Sequence, residues 1–170
     1  MSKLAPFLTR KAEAIAARQA DWTGTPGTSV ISVKASSKVA GITGARPTRM
    51  GEMTIVSDSA PGLAGHALGP TAPEMLMGAL ASCLVHTYLI QATLMEVPLD
   101  DVQIEVTGTL DMAGVVGLPV TTPPRIDPIT YHAHVETSAT AEQIAALHAA
   151  VEDTCPVLFT LRLPVTVNRT

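Results

Sequence analysis

Residues 75–95 form a stretch of 21 residues without a Lys, Arg, Asp or Glu. Thr71 and Glu74, just before it, form a capping-box pattern, and Pro98, just after it, cannot lie in a helix interior. We therefore predict one long helix over 71–96. A helix that is apolar on all sides needs cover on all sides, which constrains the rest of the fold.

A charge-free segment of this length is also long enough to span a bilayer. Its composition argues against that alternative, because small and polar residues interrupt it and alternating strands follow it. We therefore predict the buried central helix of a soluble protein, covered in part by a second copy of the chain in a homodimer. The interrupting residues are Gly78, Ser82, Cys83, His86, Thr87, Gln91 and Thr93.

The remaining pattern predicts an α+β fold, because helices and strands do not alternate regularly. Strands are predicted at residues 30–40, 53–57, 102–111, 129–136 and 157–167, with turn-rich sequence around Gly41, Gly44 and Pro47 and an edge position at Pro164. Further helices are predicted at 4–20, before a linker at 21–28, and at 141–153, where Thr140 and Gln143 form a second capping-box pattern.

Charge and leader patterns exclude several classes of function. The net charge of -4 argues against nucleic-acid binding, and the N-terminus does not resemble a signal peptide, which favours a cytoplasmic location. Eight of the eleven basic residues lie at or before Arg49, and none lies between Arg49 and Arg125. A cation near the central helix must therefore come from elsewhere in the fold or from another subunit.

Cys83 lies in the middle of the charge-free segment and by itself indicates little, because free cysteines are mostly buried and inert. A reactive thiolate there needs a hydrogen bond or a cation, and His86 and Thr87 share its helix face. Cys155, at a predicted helix end before a proline, is the second cysteine. Two thiols suit a peroxide reductase, in which one attacks and one resolves, and equally suit two unrelated core residues.

A metal site is not predicted. His132, His134 and Glu136 share one strand face, but zinc sites need three or four ligands and a solvated polar face explains the pattern better. Nucleotide-binding and zinc-protease motifs are missing from the sequence, so no cofactor is predicted.

Three segments occur in an order that resembles the OsmC/Ohr family: GPTAPEMLMGALASCL (69–84), LDDVQIEVTGTLD (99–111) and CPVLFTL (155–161). The resemblance implies two central helices enclosed by curved β-sheets in an intertwined homodimer. It places an OsmC-like domain at 26–170, after an N-terminal helical extension and linker at 1–25.

The same resemblance implies a site. It makes Cys83 the peroxidatic and Cys155 the resolving cysteine, and it matches Arg49 best, then Arg46, to the catalytic arginine. Possible supporting residues are Glu52 and His86, and Met75 and Met77 are the expected lining of an apolar substrate pocket. The resemblance further implies a disulfide between Cys83 and Cys155, which an external dithiol such as one of the lipoyl type reduces.

One departure from the family pattern favours a divergent OsmC-like branch. Residues 60–66 lack the acid that anchors the arginine in hydroperoxide-reducing members, and Glu52 and Asp58 are the nearest alternative acids. The resemblance thus implies a thiol-dependent peroxidase that reduces organic hydroperoxides through Cys83 and Cys155. The missing acid supports a competing hypothesis, a non-catalytic small-molecule-binding or stress-associated module with inert buried cysteines.

Overall fold

The computed structural model describes residues 3–169, which contain four α-helices and two antiparallel sheets. The predicted α+β class is confirmed. The helices are α1 (Ala5–Gly24), α2 (Ala72–Leu94), α3 (Ala141–Thr154) and α4 (Pro156–Arg162). The strands are β1 (Ala35–Ser37), β2 (Arg46–Met50), β3 (Met53–Ser57), β4 (Asp101–Leu110) and β5 (Ile126–Glu136), and a short 3-10 turn lies at Pro61–Leu63.

These elements fold into two compact units. The helical unit contains residues 3–19 and 77–169, and the β unit contains Ala20–Leu76. The following paragraphs describe each unit by itself.

The predicted long helix is confirmed as α2, and its start is capped as the sequence indicates. The Thr71 backbone N–H and hydroxyl both donate to the Glu74 carboxylate, at 2.7 and 2.8 Å, and the Glu74 N–H donates to the Thr71 hydroxyl at 3.4 Å. The helix ends before Glu96, whose positive φ of 54° turns the chain away.

In the single chain, α2 buries one face and not its whole circumference. The buried residues recur at helical spacing: Leu80, Leu84, Thr87, Tyr88 and Ala92. By length and composition α2 could cross a membrane, and α3 and α4 pass the same test together as a bent pair. Core helices of soluble proteins pass this test too.

The core of the helical unit forms where α2, α3, α4 and the segment after α2 meet. Its buried members are Leu80, Leu84, Tyr88, Ala92, Val97, Leu99, Leu147, Val151, Cys155 and Leu158. The sheet of β4 and β5 supplies one face to this core, because Val102, Ile104 and Val106 alternate with exposed polar residues. Both predicted strands in this region are confirmed.

The N-terminal helix is confirmed as α1, although it continues into the segment predicted as a linker. Leu4 and Leu8, one turn apart, pack against the core of the helical unit. The proposed division of the chain at residue 25 stays a prediction.

In the β unit, β2 lies between β1 and β3, and the prediction there was partly wrong. The expected strand over 30–40 is reduced to β1, and the expected turn-rich segment contains β2. Pro47 suggested a turn because it cannot donate to a ladder. It is tolerated because the regular pairing with β1 ends at Thr48. Beyond that point the Lys38 N–H donates to the Pro47 carbonyl at 3.4 Å, a bond that needs no N–H on Pro47.

The predicted C-terminal strand over 157–167 is wrong. Residues 156–162 form α4, which Pro156 begins at the first helical position, where its missing N–H is tolerated. The alternation of Val157, Phe159 and Leu161 suggested a strand. The residues that face the core are Val157, Leu158 and Leu161, which is helical spacing.

Because residues 156–162 form a helix, we expect Leu158 and not Phe159 to contribute most of the stability that comes from packing α4. Leu158 is 5% exposed and Phe159 is 41% exposed, so Leu158→Ala should reduce the free energy of unfolding by about 2–4 kcal/mol. Phe159→Ala, the matched control, should cost much less. Urea denaturation measures both, and a larger loss for Phe159→Ala would favour the strand.

Candidate dithiol site

The two cysteines lie 72 positions apart in sequence, and the fold of the helical unit brings their side chains together. Cys83 lies on α2 and is partly buried, whereas Cys155 lies between α3 and α4 and is 0% exposed. The Cys155 thiol donates to the Cys83 sulfur at an Sγ–Sγ distance of 3.5 Å. Both thiols are free, and a disulfide between them requires an approach to about 2.05 Å.

Pro156 explains how Cys155 reaches this position. A residue before proline is driven out of the helical region, and Cys155 has φ -72° and ψ 111°. Its N–H still donates to Val151 and its carbonyl accepts from Phe159, both at 3.0 Å. The chain therefore bends by 66° between α3 and α4 without leaving the Cys155 backbone unpaired.

Different groups around Cys83 shift the pKa of its thiol in opposite directions. Burial is the largest effect and raises the pKa of the Cys83 thiol, and the neighbouring Cys155 raises it further. A backbone hydrogen bond from Val157 and a side-chain hydrogen bond with Thr87 lower this pKa, but the net direction is upward. The thiolate therefore needs an additional positive group to form readily near neutral pH.

His86 is a poor source of this positive charge. Its pKa is lowered, first by desolvation and then by the positive charge of Lys11, so the charged imidazolium is disfavoured. Thr87, the other residue of this helix face, interacts with Cys83, and its hydroxyl also donates to the Cys83 carbonyl at 2.8 Å. The predicted supporting role of His86 stays a prediction.

Arg49 and Glu52, both predicted site residues, form an ion pair in the β unit. The Arg49 guanidinium contacts the Glu52 carboxylate at 2.8 Å, and its Nε donates to the Gly51 carbonyl at 2.8 Å. This pair lines a shallow cavity of about 470 Å³. The left-handed φ of 58° at Gly51 allows the tight turn from β2 to β3 that places the two side chains side by side.

Arg46, the second predicted arginine, lies at the start of β2. Its guanidinium donates to the Gly44 carbonyl at 3.1 Å and to the Ser59 hydroxyl at 3.5 Å. Both arginines belong to the β unit and both cysteines to the helical unit. Within the units, the structure brings together Cys83 with Cys155 and Arg49 with Glu52.

The sequence suggested Asp58 as an alternative acid to anchor the arginine, but in the structure Asp58 binds backbone groups of its own loop. Its carboxylate is 1% exposed and accepts backbone hydrogen bonds from Ser59, His66 and Leu68 at 2.8, 2.9 and 3.3 Å. These bonds, that from His66 first, lower the pKa of Asp58. Asp58 therefore organises the loop before α2.

The same loop is wound so tightly that two of its positions require glycine, and a Cβ at Gly69 would lie 1.9 Å from the Val56 carbonyl oxygen. A Cβ at Gly65 would lie 1.8 Å from the Ser59 carbonyl oxygen. The run of small and turn-forming residues after Asp58 is the sequence signal that could have indicated this loop.

The two methionines predicted to line a substrate pocket are both partly buried. Met77 packs beside β4, where its sulfur would lie 3.5 Å from a Cβ added at Gly108. Their role in binding a substrate stays a prediction.

Among the described residues, no group of three or more His, Cys, Asp or Glu side chains could hold a metal ion. The rings of His132 and His134 contact each other edge to face, with centroids 4.3 Å apart.

A polar cluster adjoining the core was missed by the sequence analysis. The Tyr88 hydroxyl and His148 Nδ1 lie 2.5 Å apart, and burial is the main reason that the pKa of Tyr88 rises to about 12. One turn after His148, the Glu152 carboxylate accepts from Tyr131 and Arg162. The members come from α2, β5, α3 and α4, so only tertiary structure assembles them.

Comparison with known proteins settles the family. The family model described as OsmC-like protein matches residues 65–169, more than half of the chain. The chain belongs to the OsmC-like protein family. No curated protein matches it.

Solved structures of OsmC-like proteins share its fold at low sequence identity. An OsmC-like protein from Mycoplasma pneumoniae is 17% identical, with a TM-score of 0.67 over 78% of this chain and 88% of that one. An organic hydroperoxide resistance protein OsmC from Legionella pneumophila is 18% identical, with a TM-score of 0.60 over 78% and 90%. The organic hydroperoxide resistance protein OhrB of Bacillus subtilis is 17% identical, with a TM-score of 0.55 over 78% and 91%.

The environment of the OsmC-like dithiol predicts how Cys83 titrates. Because the hydrogen bond with Thr87 lowers the pKa of Cys83, Thr87→Val should raise the pH at which alkylation of Cys83 reaches half its maximal rate. Peptide mapping after iodoacetamide treatment across a pH series measures this shift.

Thr93→Val is the matched control. The Thr93 hydroxyl donates to the Leu89 carbonyl at 2.7 Å, the same local bond further along α2. The wild-type midpoint should lie above that of an unperturbed thiol. An unchanged or lowered midpoint in Thr87→Val would contradict this account of the site.

Proposed function

We propose that this OsmC-like protein is a thiol-dependent peroxidase that reduces organic hydroperoxides. The observation that most supports this proposal is the 3.5 Å contact between the sulfur atoms of a partly buried Cys83 and a fully buried Cys155. Both are free thiols. The names of two structural relatives, the organic hydroperoxide resistance proteins of Legionella pneumophila and Bacillus subtilis, agree with this proposal.

The proposed cycle transfers two electrons. The Cys83 thiolate attacks the O–O bond of the hydroperoxide, forms a sulfenic acid and releases an alkoxide, which takes a proton to become the alcohol. The Cys155 thiol then attacks the sulfenic sulfur, so that a disulfide forms and water leaves. An external dithiol, of the lipoyl type in our proposal, reduces the disulfide and becomes oxidised itself.

Solvent access supports this assignment of the two cysteines. Cys83 is partly exposed, whereas Cys155 is 0% exposed. A hydroperoxide therefore reaches Cys83 first, and Cys155 is protected until the sulfenic acid forms beside it.

The raised pKa of Cys83 calls for a cation, and we assign that role to Arg49. A guanidinium stays charged and presents several donors in a fixed plane. The ion pair with Glu52 supports the proposal, because Glu52 orients the guanidinium as the acid missing from 60–66 would. Arg46 is the second candidate, and Met75 and Met77 are the proposed apolar lining for the organic group.

We further propose that the working form is an intertwined homodimer whose curved sheets enclose two central helices. The single chain leaves large apolar side chains exposed in the β unit and near the C-terminus, and exposed apolar surface of this kind is typical of interaction sites. They include Val30, Ile31, Val33, Ile42, Met53, Val165 and Val167.

Sedimentation velocity at micromolar concentration should give the mass of two chains. A monomer at that concentration would contradict the homodimer. We place the dimer in the cytoplasm, where free thiols persist, and without a membrane or nucleic-acid partner.

The second candidate function is a non-catalytic small-molecule-binding or stress-associated module. The observations that favour it are the upward pKa shift of Cys83 and the commitment of Asp58 to its own loop. In this case both cysteines act as small apolar core residues.

Oxidation with one equivalent of cumene hydroperoxide separates the two functions. The reduced protein should lose two hydrogen atoms by intact mass, with both thiols consumed, because one sulfenic acid condenses with one thiol. In Cys155→Ala the same treatment should leave Cys83 as a sulfenic acid that a dimedone probe captures. Stopped-flow thiol loss measures the rate.

Reaction no faster than that of a small thiol at the same pH would support the non-catalytic module. Oxidation of Cys155 in a Cys83→Ala variant would reverse the two roles. Arg49→Ala, in the same assay, should slow thiol loss at least tenfold if the guanidinium stabilises the thiolate. Arg125→Ala is the matched control, because Arg125 also pairs locally with a carboxylate, that of Asp127.

A further inference from the structure

Glu152 links three elements around the bend that carries Cys155. It lies on α3, one turn before Cys155, and its two carboxylate oxygens have different partners. The Tyr131 hydroxyl of β5 donates to Oε1 at 2.7 Å, and the Arg162 guanidinium of α4 donates to Oε2 at 2.9 Å.

The bond to Arg162 crosses the 66° bend and connects the end of α4 to the end of α3. Helix α4 has only seven residues, a length that is not stable in isolation. Its orientation therefore depends on tertiary contacts, chiefly the burial of Leu158 and the ion pair of Arg162 with Glu152.

Two groups that contact Cys83 depend on this orientation. The Cys155 thiol precedes α4 directly, and the Val157 N–H that forms a hydrogen bond with Cys83 lies in its first turn. A rotation of α4 relative to α3 would move both groups away from the Cys83 sulfur together. Tyr131 limits such a rotation because it holds the same carboxylate against β5.

We propose that Glu152 is a positioning residue for disulfide formation, which holds α4 so that Cys155 stays within reach of Cys83. The inference deepens the proposed peroxidase function, since the disulfide is its resolving step. Loss of the carboxylate should lower the effective concentration of the Cys155 thiol at Cys83. The disulfide should then become less favourable relative to the dithiol, and its formation slower.

The test needs no hydroperoxide, so it is separate from the test of peroxidase activity. The reduced full-length protein is equilibrated with mixtures of reduced and oxidised dithiothreitol. Oxidised dithiothreitol takes two electrons and two protons from Cys83 and Cys155 as their disulfide forms. Alkylation of the remaining thiols and intact-mass measurement give the equilibrium constant.

Glu152→Gln should shift this constant about three- to tenfold toward the dithiol, because one partly exposed ion pair and one charge-assisted hydrogen bond are weakened. Arg162→Gln should shift it in the same direction. The shifts of the two variants should not add in the double variant, because each single variant already removes the ion pair between Arg162 and Glu152. Asp153→Asn, the matched control, removes the same charge one residue away and should leave the constant unchanged.

An equilibrium constant within twofold of wild type in a folded Glu152→Gln variant would overturn the inference, as would an equal shift in Asp153→Asn. Failure of the wild-type protein to form the disulfide at all would overturn it as well. If Glu152→Gln does not fold by circular dichroism, Arg162→Gln decides by the same criterion. A slow reaction with cumene hydroperoxide alongside the expected shifts would remove the peroxidase function and leave the positioning role of Glu152.

Discussion

The contact between Cys83 and Cys155 depends on how α2 packs against the bend between α3 and α4. Leu84, Leu147 and Val151 are fully buried in the core that contains Cys155 and against which Cys83 packs, and this core holds the packing. Pro156 makes the bend, and Leu158 fixes the short helix that follows it. A chain that packed these residues differently would keep both thiols but lose the contact between them.

The same burial works against reactivity. Removing Cys83 from water raises the pKa of its thiol, and the hydrogen bonds with Val157 and Thr87 compensate only in part. The two acidic residues of the β unit that the sequence suggested as anchors for an arginine are engaged within that unit, since Asp58 binds its own loop and Glu52 pairs with Arg49. The chemistry of this OsmC-like protein therefore depends on whether a positive group meets Cys83 in the working assembly.

Local sequence signals predicted the elements that local physics decides. The two capping boxes begin α2 and α3 as expected, because a Thr and a Glu or Gln three residues later satisfy each other's backbone groups wherever the helix lies. Strands β4 and β5 followed from alternation, because one face is buried and one is wet. The strand β2 was missed because Pro47 is unfavourable in a strand unless it lies where the pairing ends and only its carbonyl is needed. A single sequence does not show where the pairing ends.

Helix α4 is a clearer example of what a single sequence cannot predict. Its sequence fits a strand by alternation and a helix by the positions of Val157, Leu158 and Leu161, and only the position of the core decides between them. The Glu152 cluster could not have been predicted either, because Tyr131 and Arg162 lie far from each other in sequence.

The sequence by itself determined the long apolar helix, its capped start, the two cysteines and the three segments that match the OsmC-like family. These features follow from residue type, short-range spacing or motif order. Tertiary structure decided that the two sulfurs lie 3.5 Å apart and that burial raises the pKa of Cys83. It also decided that Asp58 accepts from the backbone of its own loop and that Glu152 pairs with Arg162 across the bend. The physical reason is that distance and desolvation arise from packing between segments that are remote in sequence.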